Sequence, residues 1–393
     1  MNPVYFDNAS TSWPKPPAMM EAMARFNDAI GANPGRSGHR LSIEAARVVY
    51  EARELSATAI GAPDPLSIVF TKNATEAINC VLLGLLKPGD HVVTSGMEHN
   101  SVMRPLRFLE GRDVELSIVR CSPTGELDPT DAMAAMKKNT KVIVMTHASN
   151  VTGTLLPLEA LAHIAREHDA LLIVDASQTA GSIPIDVVRT GIDILCFTGH
   201  KSLMGPQGTG GFYIRKGLED RLPPLTRGGT GSASEFEEQP DFLPDRFESG
   251  TPNAIGLAGL AAGIRFVLAR GIDRIHEREV RLTRQFLEGM ADIPGTTLYG
   301  PRDARQRIAV VSFTIPGIIP SDVAYDLDEQ FAILSRPGLH CAPAAHRTLG
   351  TFPHGTVRFS FGLYTTEDEI SRGLEAVALL SAAYHTKKGV SHV

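Results

Sequence analysis

Ile192-Asp193-Ile194-Leu195-Cys196-Phe197-Thr198-Gly199-His200-Lys201 is the stretch on which the fold turns. Ile194 to Phe197 is a short apolar run of the kind that forms a buried parallel strand. Lys201 follows at its carboxyl end. The next segment, with Gly205, Gly208, Gly210 and Gly211, is too rich in glycine to be core. Desolvation at the mouth of a buried strand lowers a lysine's pKa and makes its amine nucleophilic. Lysines that form Schiff bases with carbonyl cofactors need that setting. Taken alone, Lys201 reads equally as a strand-end lysine with its head in water.

Upstream, Ala170-Leu171-Leu172-Ile173-Val174-Asp175-Ala176-Ser177-Gln178 is a second apolar strand that delivers an aspartate at its carboxyl end. Ligands of open α/β sheets sit beyond the carboxyl ends of the strands, so Asp175 and Lys201 are expected to face one crevice. Pyridoxal phosphate uses such a pair. A lysine takes the aldehyde, and a carboxylate keeps the ring nitrogen protonated so that the ring withdraws electrons.

Asp175 to Gln178 and Thr198 to Lys201 resemble the cofactor site of the class V, fold-type I, pyridoxal-phosphate enzymes. Arg336-Pro337-Gly338-Leu339-His340-Cys341-Ala342-Pro343 resembles the cysteine-bearing loop of group II cysteine desulfurases, with selenocysteine lyases as near kin. The likeness runs from Tyr5-Phe6-Asp7-Asn8-Ala9 to Arg358, with the motifs in the family's order. It implies an α/β fold with two parts. Residues 15–253 form a large domain, a mostly parallel seven-stranded sheet between helices. Residues 1–14 and 254–393 form a smaller α+β domain that carries the cysteine loop.

Composition agrees with an ordinary globular enzyme. The 393 residues are 43% hydrophobic and 21% charged, with 38 basic and 44 acidic side chains and a net charge of −6. Such a length fits two packed domains. No basic concentration points to nucleic acid, and no apolar run reaches the length of a membrane span. Met1-Asn2-Pro3-Val4 lacks the features of a signal peptide. Cys80, Cys121, Cys196 and Cys341 are scattered and form no CxxC pair. That argues against a disulfide scaffold or structural zinc, and for a reducing, cytoplasmic setting.

Taken in order, the prolines of Trp13-Pro14-Lys15-Pro16-Pro17 suit entry to a helix near Ala18. A helix from Ser42 to Ile60 follows the loop 31–40, with Ser42 as N-cap and Gly61 as C-cap. Ile68 to Phe70 is a strand that turns into a helix from Ala74 to Leu86. Free amides and a positive dipole end suit a phosphate there, although an ordinary capped βα turn reads the same. Further strands are expected over His91 to Thr94, Val114 to Val119 and Val142 to Thr146, with helices over Asp128 to Lys138 and Leu158 to His168. The alternation up to Ile214 is that of a wound, largely parallel sheet. A flexible loop, Arg227 to Ser232, and an acidic stretch, Glu235 to Asp245, precede two helices, Ala254 to Arg270 and Ile272 to Met290. Strands around Ala309 to Ile315 and Thr356 to Phe361 and a helix from Thr366 to Tyr384 complete the second lobe. The tail after His385 is expected to be mobile.

The resemblance assigns roles residue by residue. The positions of Ala74 and Thr75 cradle the phosphate, and Thr198, His200 and Gln178 belong to the cofactor set. His99 stacks on the ring and shuttles protons; by spacing alone it is a loop histidine. Asn150 bonds the phenolic oxygen and lies beside the substrate, as does the backbone near Asn8 and Ala9, otherwise only a turn. Thr251 reaches the phosphate of a neighbouring subunit, which implies a homodimer; without the family it is a loop residue. Arg358, which breaks the apolar pattern of its strand, grips the substrate carboxylate in two-point fashion, unless it faces solvent.

Cys341 selects the reaction. A free cysteine is often a small buried hydrophobe, but the resemblance of this loop implies a thiolate that takes sulfur from L-cysteine, releasing L-alanine and leaving a persulfide. The resemblance further implies that Lys201 moves the α-proton and that a dedicated protein accepts the sulfur. Other reactions of the class remain open: selenocysteine lyase, another amino-acid lyase, an epimerase or an aminotransferase. A non-catalytic sulfur carrier is the rival from another class. The glycines after Lys201 lack the dinucleotide-binding order, which argues against a nicotinamide enzyme. His340 and His346 have no further ligand nearby, so no metal is expected.

Overall fold

A computed structural model describes residues 3–35 and 37–389, with the side chains of 385–389 left aside. In chain order the strands are β1 (Val4–Tyr5), β2 (Ile68–Thr71), β3 (His91–Ser95), β4 (Glu115–Val119), β5 (Thr140–Thr146), β6 (Leu171–Asp175), β7 (Ile194–Thr198), β8 (Gly210–Ile214), β9 (Thr297–Tyr299), β10 (Val310–Thr314), β11 (Ile333–Leu334), β12 (Arg336–Gly338) and β13 (Thr356–Ser360).

Seven of them form the large sheet, in the order β2-β8-β7-β6-β5-β3-β4. All run parallel except β8, which is antiparallel to both neighbours. The apolar runs are continuous because both faces are covered. Alternate residues go to opposite cores: Leu172, Val174 and Leu195 to one face, Leu171, Ile173 and Ile194 to the other. That is the period-2 geometry of a strand. Glycine lets β8 lie close to its neighbours, since a Cβ on Gly211 would stand 2.3 Å from the Val69 carbonyl oxygen.

Several boundaries differ from the sequence reading. The helix expected from Ser42 spans Arg40–Ala59, and its cap is His39, whose ring accepts from the Ser42 amide. The Ser42 hydroxyl instead donates to the Asn33 carbonyl. The helix expected over 128–138 covers only Pro129–Ala134, capped by Asp128. The helix Ala254–Arg270 packs Leu257, Leu260, Ala261 and Ile264 into the same core as β6 and β7. The change of packing partner therefore falls at Gly271, one helix later than residue 254. The closing helix runs over Glu367–Gly389, past the point where the tail was expected to loosen; residues 390–393 lie outside the described residues.

The second lobe holds a four-stranded antiparallel sheet, β12-β13-β10-β9. Its core is aromatic: Phe359 has Phe6, Phe286 and Phe313 at 4.9, 5.4 and 5.2 Å between centroids, spacings typical of favourable tilted and edge contacts. β1 joins this lobe by pairing parallel with β11. The chain then crosses to the large sheet, so the two lobes share the segment after β1.

Candidate active site

The carboxyl ends of β3, β5, β6 and β7 open on a cavity of about 220 Å³, whose other wall is supplied by Arg336, His340 and Arg358 of the second lobe. Position in the sheet explains the set. Each of these strands ends in a turn that brings polar side chains to the crevice, as doubly wound sheets do.

Lys201 lies in the turn after β7, two residues beyond Gly199. That glycine is packed so closely that a Cβ on it would stand 2.2 Å from the Thr209 hydroxyl. Burial draws the Lys201 amine down to about 8, against the opposing pull of Asp175. An appreciable share of the amine is then unprotonated near neutral pH, as a nucleophilic lysine requires. Asp175 ends β6. Its Oδ1 accepts from the Ser177 amide at 2.9 Å and the Ser177 hydroxyl at 2.5 Å. These bonds fix the carboxylate and leave Oδ2 for a cationic partner.

His99 follows β3 and caps the helix Asn100–Glu110. Its Nδ1 accepts from the Ser101 amide at 3.0 Å. That bond places the proton of the neutral ring on Nε2. Burial lowers the His99 pKa to about 4, so the neutral ring prevails at neutral pH. Asn150 lies beyond β5. Its Nδ2 donates to the His340 carbonyl at 2.7 Å, tying the cysteine loop to the large lobe. Gln178 donates to the Ala9 carbonyl at 3.1 Å and closes the wall behind Asp175.

Among the described residues, three buried polar atoms of side chains lining this cavity lack a protein partner: Thr198 Oγ1, His200 Nδ1 and, on the opposite wall, Arg358 Nε. Ala74 and Thr75 begin the helix Ala74–Leu85, where the first amides have no intrahelical acceptor. Asn73 caps Glu76, which leaves the earlier amides open. A hydroxyl, an imidazole and the open amides of a helix N-terminus around one cavity suit a phosphate. The residues present therefore fit pyridoxal phosphate, with Asp175 and Lys201 placed for ring and aldehyde.

Three expected residues sit elsewhere. Asn8 is turned away from this cavity: its side chain donates to the carbonyls of Tyr5 and Ser360 and faces a small neighbouring cleft. Ala9 lines both. Thr251 is exposed, lies within reach of Asn33, and borders a separate cavity beside Phe70 and Lys72. Cys341 is exposed at the rim rather than in the wall.

The cysteine loop leaves β12. His340 and Cys341 both have left-handed backbones, with φ of 51° and 57°, each costing about 1–3 kcal/mol and persisting only where the surroundings enforce it. The surroundings here are a set of hydrogen bonds. Asn100 donates to the Cys341 carbonyl at 2.8 Å, Asn150 holds the His340 carbonyl, and the His340 ring meets the Arg336 carbonyl at 2.9 Å. The Arg336 guanidinium lies 3.6 Å from the Cys341 sulfur.

Arg358, on β13, is fully buried. It donates to the Asn150 carbonyl, to Asp7 Oδ1 at 2.7 Å and to the Ser10 hydroxyl at 2.8 Å, while its Nε has no partner. An unpaired buried guanidinium N–H suits a carboxylate. The side chains of Asp7, Ser12 and Lys15 were not singled out from the sequence, and Ser10 was marked only through the backbone of Asn8-Ala9-Ser10. Lys15 donates to the His200 carbonyl and the Ser12 hydroxyl, each at 2.7 Å, and Ser12 in turn donates to the Lys201 carbonyl at 2.7 Å. These bonds pin the backbone that carries the amine. The density of polar residues in Asp7 to Ser12 was the signal that could have found them.

Comparison with known proteins agrees with this geometry. The profile of the family described as Aminotransferase class-V matches residues 4–372. A Pyrococcus abyssi protein named "Probable cysteine desulfurase" is 39% identical, covering 93% of this chain and 91% of its own. A Salmonella dublin protein named cysteine desulfurase is 33% identical, covering 94% and 91%. Among solved structures, the apo cysteine desulfurase from Thermococcus onnurineus NA1 superposes with a TM-score of 0.91 at 37% identity, covering 97% of this chain and 95% of that one. The Escherichia coli cysteine desulfurase CsdA gives 0.85 at 28% identity, covering 95% and 94%. With the family model, the relatives and the fold in agreement, this chain belongs to the class-V aminotransferase family.

Proposed function

We propose that the protein is a pyridoxal-phosphate-dependent cysteine desulfurase that converts L-cysteine to L-alanine and keeps the sulfur on Cys341. One observation carries the reading. A lysine, an aspartate and unpartnered phosphate-type donors share a single cavity with a buried arginine, and a cysteine stands at its rim on a separately anchored loop.

Thr198, His200 and the amides of Ala74 and Thr75 would hold the phosphate, and Asp175 Oδ2 the ring nitrogen. When bound, the cofactor withdraws electrons from the substrate's α-carbon. The protein's part follows from its own atoms. Arg358 Nε takes the α-carboxylate, and Asn150 lies beside it. Lys201, whose burial favours the neutral amine, is placed to remove the α-proton and to return a proton to carbon. His99, neutral with its proton on Nε2, lines the same cavity and offers a donor. The Cys341 thiolate attacks the substrate sulfur. A sulfur–sulfur bond forms, the carbon–sulfur bond breaks, and its electron pair goes to the carbon that is then protonated. The products are alanine and a persulfide.

The exposure of Cys341 supports transfer onward to a protein acceptor that meets the loop from solvent. The placement of Thr251, exposed and outside this cavity, supports a homodimer in which it serves the other copy's phosphate. Four unpaired cysteines support a reducing compartment, the cytoplasm. Incubation with L-cysteine followed by mass spectrometry tests the reaction. One added sulfur on the peptide of Cys341 and stoichiometric alanine are expected. Alanine without that adduct would overturn the assignment, and faster turnover of selenocysteine would redirect it to selenium release.

A further inference from the structure

The Ser10 hydroxyl is the junction of the two arginines that face the cavity. It donates to Asp7 Oδ1 at 2.7 Å and accepts from Arg336 Nη1 and Arg358 Nη2, each at 2.8 Å. A hydroxyl has one hydrogen to donate and two lone pairs, so this one is saturated. Both guanidiniums are oriented by the same oxygen, yet they serve different places. Arg358 reaches Asn150 and Asp7 at the pocket wall. Arg336 turns its other nitrogen to the Cys341 sulfur.

We propose that Ser10 is a positioning residue that divides these duties, holding Arg358 for a substrate carboxylate and Arg336 over the reactive sulfur. Two like charges that share one cavity repel. A neutral oxygen accepting from both, with Asp7 behind it, lets them stay close and point apart. Without the hydroxyl, Arg358 keeps Asp7 and the Asn150 carbonyl, whereas Arg336 loses the side-chain acceptor on its Nη1. The larger effect therefore falls on the sulfur. The carboxylate part of the assignment rests on the proposed desulfurase reading; the sulfur part does not.

The test uses Ser10→Ala and Ser10→Thr in the full-length protein. Alkylation of Cys341 by iodoacetamide at fixed pH, followed by peptide mass spectrometry on protein stripped of cofactor, reads Arg336 without turnover. Ser10→Ala is expected to slow alkylation by about tenfold, the scale of one hydrogen bond to a charged group. Ser10→Thr, which keeps the hydroxyl, is expected to restore it. In the loaded enzyme Ser10→Ala is expected to lower kcat more than it raises KM for cysteine, because Arg358 keeps its other partners. Alkylation unchanged in Ser10→Ala but slowed in Arg336→Ala would overturn the role of Ser10. Alkylation unchanged in both would overturn the contact with sulfur as well. A wild type that alkylates as described but does not turn over cysteine would sink the desulfurase reading and leave the sulfur part standing.

Discussion

The two proposed nucleophiles of this protein are built in opposite ways. Lys201 is held by backbone. Its own carbonyl and that of His200 are gripped by Ser12 and Lys15, and the turn before it tolerates no side chain at Gly199. Cys341 is held at the tip of a loop with two successive left-handed residues, exposed and tethered by a few hydrogen bonds. In the proposed reaction the amine keeps one position relative to a bound ring, and the thiol meets a substrate on one side and releases sulfur on the other. Rigidity suits the first task and exposure the second.

The sharpest way to break this contrast is to remove each nucleophile in turn. Lys201→Ala is expected to abolish the visible absorbance of lysine-bound cofactor and to lower turnover by at least about 1,000-fold, the range of an acid–base contribution. A variant that keeps both would refute the pocket assignment. Cys341→Ser comes next. Alanine release from cysteine is expected to fall by about 100-fold, at the lower end of that same range. The cofactor absorbance stays intact, and stability stays within about 0.5 kcal/mol, because the side chain is exposed. Loss of cofactor binding in this variant would show that the two regions are not separable.

A smaller effect concerns pH. Burial lowers Lys201 from its ordinary 10.5 to about 8. The charged form is therefore the one disfavoured in the folded, cofactor-free protein. Between about pH 8 and 10.5 the unfolded chain binds more protons at this residue, so its contribution to stability rises with pH across that window. Modification of Lys201 by pyridoxal, mapped by mass spectrometry, should rise with pH and level off above about 8. A rise continuing toward 10.5 would mean that the amine is solvated, and the contrast with Cys341 would narrow.

Much of this was legible in the residues, for identifiable reasons. A strand buried on both faces must be apolar throughout, so β5, β6 and β7 announced themselves, and the polar residue that ends each one marked the crevice. The antiparallel pairing of β8 carried no signal, because its glycines reflect close packing rather than direction. Ser42 had the chemistry of a cap, but His39 stood three residues earlier and its ring nitrogen took the amide. The helix after residue 254 reads as apolar whichever lobe it joins, and only packing decides. The side-chain contacts of Asp7, Ser10 and Lys15 were hidden for a different reason. Their partners lie at Arg336, Arg358 and His200, and local pattern says nothing about contacts across that many residues.

The parallel pairing of Val4–Tyr5 with Ile333–Leu334 has a consequence for biosynthesis. A nascent chain can assemble the wound sheet once Ile214 has emerged, but the segment that braces the lysine turn gains its strand partner only when residue 333 is made. Contacts of such span form late and slowly. All strands of the wound sheet are thus synthesised well before the strand partner of β1, and the helix Ala254–Arg270 that covers one face of that sheet is made in between.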